Sequence, residues 1–264
     1  MDMKLALMAG DTVPPAELRS LGFHAVQMFW GSGPDGAPHD PTPQAVDAVL
    51  AAGQMALAAM TLHVDLVGPA GLKPGDVERA VRCVEQTARL DGRFGDNATP
   101  LLIWHPSGYP EEAEVNDRAV FAGLVTALRQ VCGAATQLGV QVAVEITRAG
   151  SIGSAEAFLR LQDHVGSAAL KVCLDGANFI PDRTPLERAV RLLGPDTVIA
   201  HAKDSSFHDN GTVAAYGPVG SGRLDYPTYM QLLRDHTSAP YMVLEYYRSR
   251  ADLLRARDLV QSGL

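Results

Sequence analysis

The chain alternates short apolar runs with longer amphipathic ones. The short runs are LALMAG (5–10), AVQMFW (25–30), MALAAMTLHV (55–64), PLLIWH (100–105), VQVAVEI (140–146), LKVCLD (170–175), TVIAHAK (197–203) and YMVLEYY (241–247). Each is rich in Val, Ile, Leu, Met or aromatic residues and lacks clean alternation. Strands of a parallel sheet read this way when both faces are covered. Between them, apolar positions recur at helical spacing. The clearest case sets Val120, Leu124, Leu128, Val131, Ala135 and Leu138 three or four apart and stops at Gly139. Other helices carry start signals: Thr42-Pro43 before QAVDAVLAAG, Ser154 before AEAFLRL, Thr184-Pro185 before LERAVRLL, and Asp225 before YPTYMQLL.

Eight apolar runs and roughly eight helices in 264 residues give about 33 residues per unit, close to the ~30 of a βα unit. The pattern predicts an α/β chain closed into a (β/α)8 TIM barrel, a single domain over residues 1–264. A doubly wound open sheet is the alternative. It would carry a Gly-rich turn after the first strand, where this chain reads AGDTVPP. The 47% hydrophobic content suffices for one sizeable core, and no Pro/Gly/Ser-rich linker divides the chain.

The formal net charge of -8 weighs against nucleic acid, whose phosphates demand basic surface. It suits an enzyme acting on a small polar molecule. Cys83, Cys132 and Cys173 are odd in number, show no CxxC spacing and sit in apolar contexts, so they read as buried free thiols in a reducing compartment. The N-terminal apolar run is too short for a signal-peptide core, and no stretch reads as the ~20 apolar residues of a membrane span. The expected location is the cytoplasm.

Six apolar runs end in an out-of-place polar group: His63, His105, Glu145, Asp175, His201 and Glu245. In a (β/α)8 barrel all strand C-termini converge on one mouth. Taken singly, a strand-end His or carboxylate is an ordinary hydrogen-bonding, capping or ion-pairing residue. Taken together, three carboxylates at one mouth repel one another unless a cation joins them. A divalent ion resolves the repulsion, and this donor set suits Mn²⁺, Mg²⁺, Co²⁺ or Zn²⁺. Cys173, two residues before Asp175, points the same way one layer deeper.

The segments VEIT (144–147), CLDGAN (173–178), HAKD (201–204), GPVGSGRLDY (217–226) and VLEYY (243–247) resemble the xylose-isomerase-like TIM barrels, which include sugar isomerases and epimerases, inosose dehydratases and apurinic-site endonucleases. The match is good from about residue 140 to 250 and weaker before it. The resemblance implies that Glu145, Asp175, His201 and Glu245 hold one divalent metal ion, and that Glu145 and Glu245 exchange protons with the substrate. It assigns substrate contact to Lys203 and support of the strand-end loop to Asp204. Where the family usually has His three residues after the strand-6 Asp, this chain has Asn178, which can orient a substrate but cannot carry a proton at neutral pH.

The implied reaction is isomerisation or epimerisation of a small sugar, sugar phosphate or related ketose through a metal-held enediolate. Loss of a β-hydroxyl from the same intermediate would make the chain a dehydratase, and the ligands do not separate these outcomes. Further candidates for substrate contact are His63, His105, Asn178, Trp30 and Arg148. Trp30, Phe29 and Trp104 read equally well as core, and Arg148, His208 and Arg223 as surface. GPVGSG lacks the GK[ST] ending of a P-loop and reads as a loop folding back toward the mouth. A phosphodiesterase reading would use His63 and His105 with Glu145 for a second metal, but the later DxH motif is absent: the chain runs SSFHDNG. A non-catalytic sugar-binding barrel is the third reading. The expected partner is a carbohydrate, with no nucleic acid or membrane, and homo-oligomers remain open.

Overall fold

The computed structural model describes residues 3–10, 13–32, 38–97, 99–106, 118–146, 152–179, 185–209 and 213–263. Each of the eight apolar runs forms a strand: β1 (Lys4–Met8), β2 (Ala25–Ser32), β3 (Ala56–His63), β4 (Leu101–His105), β5 (Gln141–Glu145), β6 (Leu170–Asp175), β7 (Thr197–Ala202) and β8 (Tyr241–Leu244). Neighbours pair in parallel around the ring, and β1 pairs with both β2 and β8, which closes the barrel. The open-sheet alternative is thereby excluded.

Helices wrap the outside: α1 (Pro15–Leu18), α2 (Pro43–Gly53), α3 (Pro74–Ala88), α4 (Arg118–Leu138), α5 (Ala155–Val165), α6 (Leu186–Leu193), α7 (Tyr226–His236) and α8 (Arg250–Gln261). Their starts follow local chemistry. Thr42, Ser154 and Asp225 each accept a hydrogen bond from the backbone N–H three residues on, satisfying a donor that has no partner within its helix. Thr184 lies outside the described residues, and α6 begins behind Pro185. Gly139 takes φ +67 after α4, a conformation that favours glycine.

Helix α4 is long and apolar enough by composition to cross a membrane, against the sequence expectation that no stretch is. It packs instead as a barrel helix, burying Leu124, Leu128, Val131 and Ala135. All three cysteines are free and buried, as expected.

Side chains alternate between the barrel interior and the helix layer. On β2, Gln27 faces the interior and bonds Thr61 of the neighbouring β3, whereas Trp30 sends its Nε1–H outward to Thr87 Oγ1 on α3, 3.0 Å away. Trp30 is only 5% exposed. The expectation of Trp30 as a substrate contact is therefore corrected: its parity on β2 puts it between strand and helix. Trp104 is likewise buried, with Nε1 bonded to Val64 O.

Candidate active site

The strand ends deliver the polar residues to one place. Glu145 closes β5, Asp175 closes β6, His201 sits on β7, and Glu245 follows β8. Register sets His201 beside Asp175 and Glu145 beside Cys173. One donor atom from each of Glu145, Asp175, His201 and Glu245 lies within 4.8 Å of all the others, and all four residues are buried. A second such group among the described residues joins Glu145, Cys173 and His201. It is the deeper layer that the spacing of Cys173 and Asp175 predicts.

Lys203, one residue past β7, reaches into this cluster. Its Nζ pairs with Asp175 Oδ2 and lies 3.1 Å from Glu245 Oε1 and 3.4 Å from Glu145 Oε1. His201 Nδ1 faces Glu245 Oε1 at 3.5 Å and Glu145 Oε2 at 3.6 Å. Three carboxylates thus meet one ammonium and one imidazole.

The electrostatics express that imbalance. Burial pushes Asp175 up to about 7, with Glu245 and Glu145 adding to the rise and Lys203 opposing it. Burial, the largest single influence, pushes Glu145 and Glu245 upward, but Lys203 and His201 together, with His105 at Glu145, outweigh it, and both fall below the usual carboxylate range. Burial opposes charge on His201, yet Cys173, Glu245 and Glu145 raise it well above the ordinary imidazole value.

This site fits a divalent cation. Among the described residues, His201 Nδ1, Asp175 Oδ2 and Glu245 Oε1 are buried with no hydrogen-bond partner and are held by ion-pair contacts. They belong to the cluster whose donors converge within 4.8 Å. Three carboxylates exceed what one lysine neutralises, and a further double positive charge would balance them.

Around the cluster, the structure places the remaining candidates unevenly. His63 and His105 stack at 4.5 Å between ring centroids, with Phe29 edge-on to His63 at 5.7 Å. His105 Nε2 stands 3.8 Å from Glu145 Oε1. Neither histidine belongs to the donor groups close enough to share an ion among the described residues. Asn178 Nδ2 donates to Ile146 O at 2.8 Å and approaches Glu145 Oε1 at 3.5 Å, while its Oδ1 accepts from Tyr216 O–H. Asn178 therefore braces Glu145. Arg148 lies outside the described residues, and His208 and Arg223 are exposed.

Several residues with a part here escaped the sequence reading. A ribbon of Asp204–Phe207 paired with Val213–Gly217 carries Tyr216 over the mouth. Lys203 Nζ lies 5.0 Å from the Tyr216 ring and 5.5 Å from that of Tyr246, within cation–π range. Tyr246 is 47% exposed and takes φ +61, a strained conformation for a bulky residue. Beneath, Tyr226 O–H donates to Lys203 O, and Tyr229 O–H bridges Gly176 N and Leu174 O. Asp-Asn-Gly at 209–211 was the available hairpin signal.

The GPVGSG loop does fold back to the mouth, and Asp204 is the reason. Its Oδ1 accepts from Ser205 N and Leu224 N, and its Oδ2 from Gly220 N, at 2.9 to 3.1 Å. A Cβ on Gly222 would overlap the Asp204 carboxylate and the Ser205 carbonyl. Asp204→Ala is expected to lower stability by about 3 kcal/mol, because charge-assisted bonds to three backbone donors are lost in a buried site. Urea unfolding measures this, and a loss under ~1 kcal/mol would show that the loop is held otherwise.

The family described as Xylose isomerase-like TIM barrel matches residues 15–263. No curated protein matches the chain by sequence. Among solved structures, a Xylose isomerase-like TIM barrel protein from Mycobacterium smegmatis in complex with magnesium is 16% identical at a TM-score of 0.69, over 99% of this chain and 98% of that one. A D-tagatose 3-epimerase-like protein is 14% identical at 0.74, over 99% and 97%. The probable 3-DHS dehydratase AsbF from Bacillus anthracis is 16% identical at 0.71, over 97% of each chain. At these identities the structures show a shared fold. With the family match running over nearly its whole length, the chain belongs to the xylose isomerase-like TIM barrels.

Proposed function

We propose that the chain is a divalent-metal-dependent isomerase or epimerase of a small sugar, sugar phosphate or related ketose. The observation that carries this reading is the buried convergence of Glu145, Asp175, His201 and Glu245 within 4.8 Å. The magnesium complex and the epimerase-like neighbour point the same way.

Those four residues would hold the ion. The chemistry such an ion supplies when bound is Lewis acidity toward a substrate carbonyl, which makes the adjacent C–H more acidic. Glu145 and Glu245 then act as a base and acid pair. One carboxylate takes the carbon-bound proton, giving an enediolate, and the other returns a proton to the neighbouring carbon or to the opposite face. Lys203 donates toward both glutamates and favours their ionised form, so the one acting as base is ready to accept, while the one acting as acid must first take up a proton from solvent. Asn178 holds Glu145 in place. The stacked His63 and His105 form one wall of the mouth, and Tyr216 with Tyr246 cover Lys203. A dehydratase reading is supported by the 3-DHS dehydratase among the neighbours, with His105, 3.8 Å from Glu145, as the candidate group to assist a departing hydroxyl.

The test is a screen of ketoses and cyclic polyol ketones in D₂O with added Mn²⁺. Deuterium entering at the carbon beside the carbonyl, with the molecular mass otherwise kept, supports isomerase or epimerase chemistry. Loss of water moves the assignment to the lyase. No exchange with any substrate, alongside no bound metal, would sink the catalytic reading in favour of a binding protein.

The same site makes metal affinity depend on pH. Asp175, at about 7 in the metal-free protein, is protonated below that pH, and binding must then expel the proton. Affinity is expected to fall by tenfold or more per pH unit below about 7, because Asp175 and His201 must both give up a proton to the incoming ion. Calorimetry in buffers of different ionisation enthalpy reads the released proton directly. A flat affinity across this window would contradict Asp175 as a ligand.

A further inference from the structure

Behind His201 lies a short chain of buried polar groups that the proposed reaction does not use. His201 Nε2 lies 3.0 Å from Gln27 Oε1, and Gln27 Nε2 donates to Thr61 Oγ1 at 2.9 Å. Exposure is 0% for Gln27 and His201 and 1% for Thr61. Gln27 and Thr61 stand on β2 and β3, across the barrel interior from β7. They are polar residues within otherwise apolar runs, at positions where Leu or Val would fill the interior without needing partners.

The two ends of Gln27 are not equivalent. With its oxygen toward His201, the amide accepts a proton from Nε2. The other ring nitrogen, Nδ1, then turns to Glu145 and Glu245 at 3.6 and 3.5 Å, and its lone pair becomes the metal-facing one once a cation displaces any proton there. With the amide reversed, its NH₂ would donate to Nε2, and the single proton of a neutral ring would sit on Nδ1. That proton would point into the carboxylates and occupy the side where a cation must bind. Only the first arrangement makes His201 a ligand. In that arrangement the Gln27 NH₂ group donates to Thr61 Oγ1, which seats the amide from its other end.

Resting on the metal-binding reading above, we propose that Gln27, seated by Thr61, is a positioning residue that keeps the His201 proton on Nε2 and so turns Nδ1 into the metal-facing nitrogen. General coordination chemistry supports this role. A metal-bound imidazole is oriented by the hydrogen bond of its second nitrogen, and loss of such a partner typically costs about 10- to 100-fold in metal affinity. The amide differs from the more usual carboxylate partner in carrying no charge, so it fixes the ring without adding a fourth negative group to a site that already holds three.

Two measurements test it, and they fail separately. The first is ¹⁵N NMR of the histidine-labelled, metal-free protein, with His201 assigned by its loss in His201→Gln. The Nε2 of His201 is expected to carry a protected proton hydrogen-bonded to the Gln27 oxygen. Loss of the Nε2 proton while Nδ1 keeps its own would overturn the proposal, whether or not any metal binds. The second is Mn²⁺ affinity, read from the electron paramagnetic resonance signal of free Mn²⁺. Gln27→Met, which removes the acceptor at nearly constant volume, is expected to bind about 10- to 100-fold more weakly than the unaltered chain. Gln27→Glu keeps an acceptor toward Nε2 while adding the charge the amide avoids, and is expected to lose clearly less than Gln27→Met. Thermal melts confirm that the variants fold. Unchanged affinity in Gln27→Met, or equal losses in both variants, would overturn the proposal. Absence of Mn²⁺ binding to the unaltered chain would sink the metal reading, and the NMR result would still decide the role of Gln27.

Discussion

Glu245→Gln is expected to abolish tight divalent binding and to slow carbon-bound proton exchange by about 10²–10⁴-fold, the range for removing a general acid or base. The substitution keeps the side-chain shape and removes one charge. Glu245 sits between Lys203 Nζ at 3.1 Å and His201 Nδ1 at 3.5 Å, so it serves the ligand set and the proton-transfer pair together. Glu145→Gln should behave alike in exchange. Deuterium uptake at the substrate carbon, followed by mass spectrometry beside the metal content, separates the two parts. The fold should survive either change, because removing one of three carboxylates leaves Lys203 with two partners. A Glu245→Gln protein that binds metal and exchanges protons normally would remove Glu245 from the mechanism.

Lys203→Met carries the largest expected effect on stability. Lys203 is 4% exposed, and its ammonium touches Asp175, Glu245 and Glu145. Its loss leaves three buried carboxylates facing one imidazole. Breaking a buried ion pair by removing one partner costs about 3–5 kcal/mol. The metal-free variant should therefore unfold at markedly lower denaturant, by an amount within that range. A divalent ion restores positive charge to the same carboxylates, so saturating Mn²⁺ or Mg²⁺ should recover much of the loss. At about a hundred times Kd, binding alone contributes about 2.7 kcal/mol. Paired urea melts with and without metal measure both halves. Equal stability of variant and parent without metal would mean that Lys203 is not the counter-charge of this site. Stability lost but never recovered with metal would mean that these carboxylates do not take up the ion.

Much of this was legible in order of residues. Parallel strands covered on both faces leave unbroken apolar runs, so the eight strands could be read from composition and length. A polar residue ending such a run is conspicuous, and Glu145, Asp175, His201 and Glu245 all stand out in this way. Asn178 was also visible, since it departs from the pattern the other segments resemble. Trp30 was misplaced because an apolar run does not say which alternate residues face inward. Only pairing partners decide that, here Thr61 for Gln27 and Thr87 for Trp30.

The chain order by itself determined the (β/α)8 architecture and which side chains end the strands, because periodicity and burial are local properties of sequence. It said nothing of Lys203 entering the carboxylate cluster from beyond β7, of Tyr216 arriving on a ribbon with no apolar signature, or of Gln27 meeting His201 across 174 residues. These contacts depend on how far each side chain reaches once the barrel has closed. Closure turns strands that are remote in sequence into walls of one interior, and only there do the charges, the amide and the imidazole act on one another.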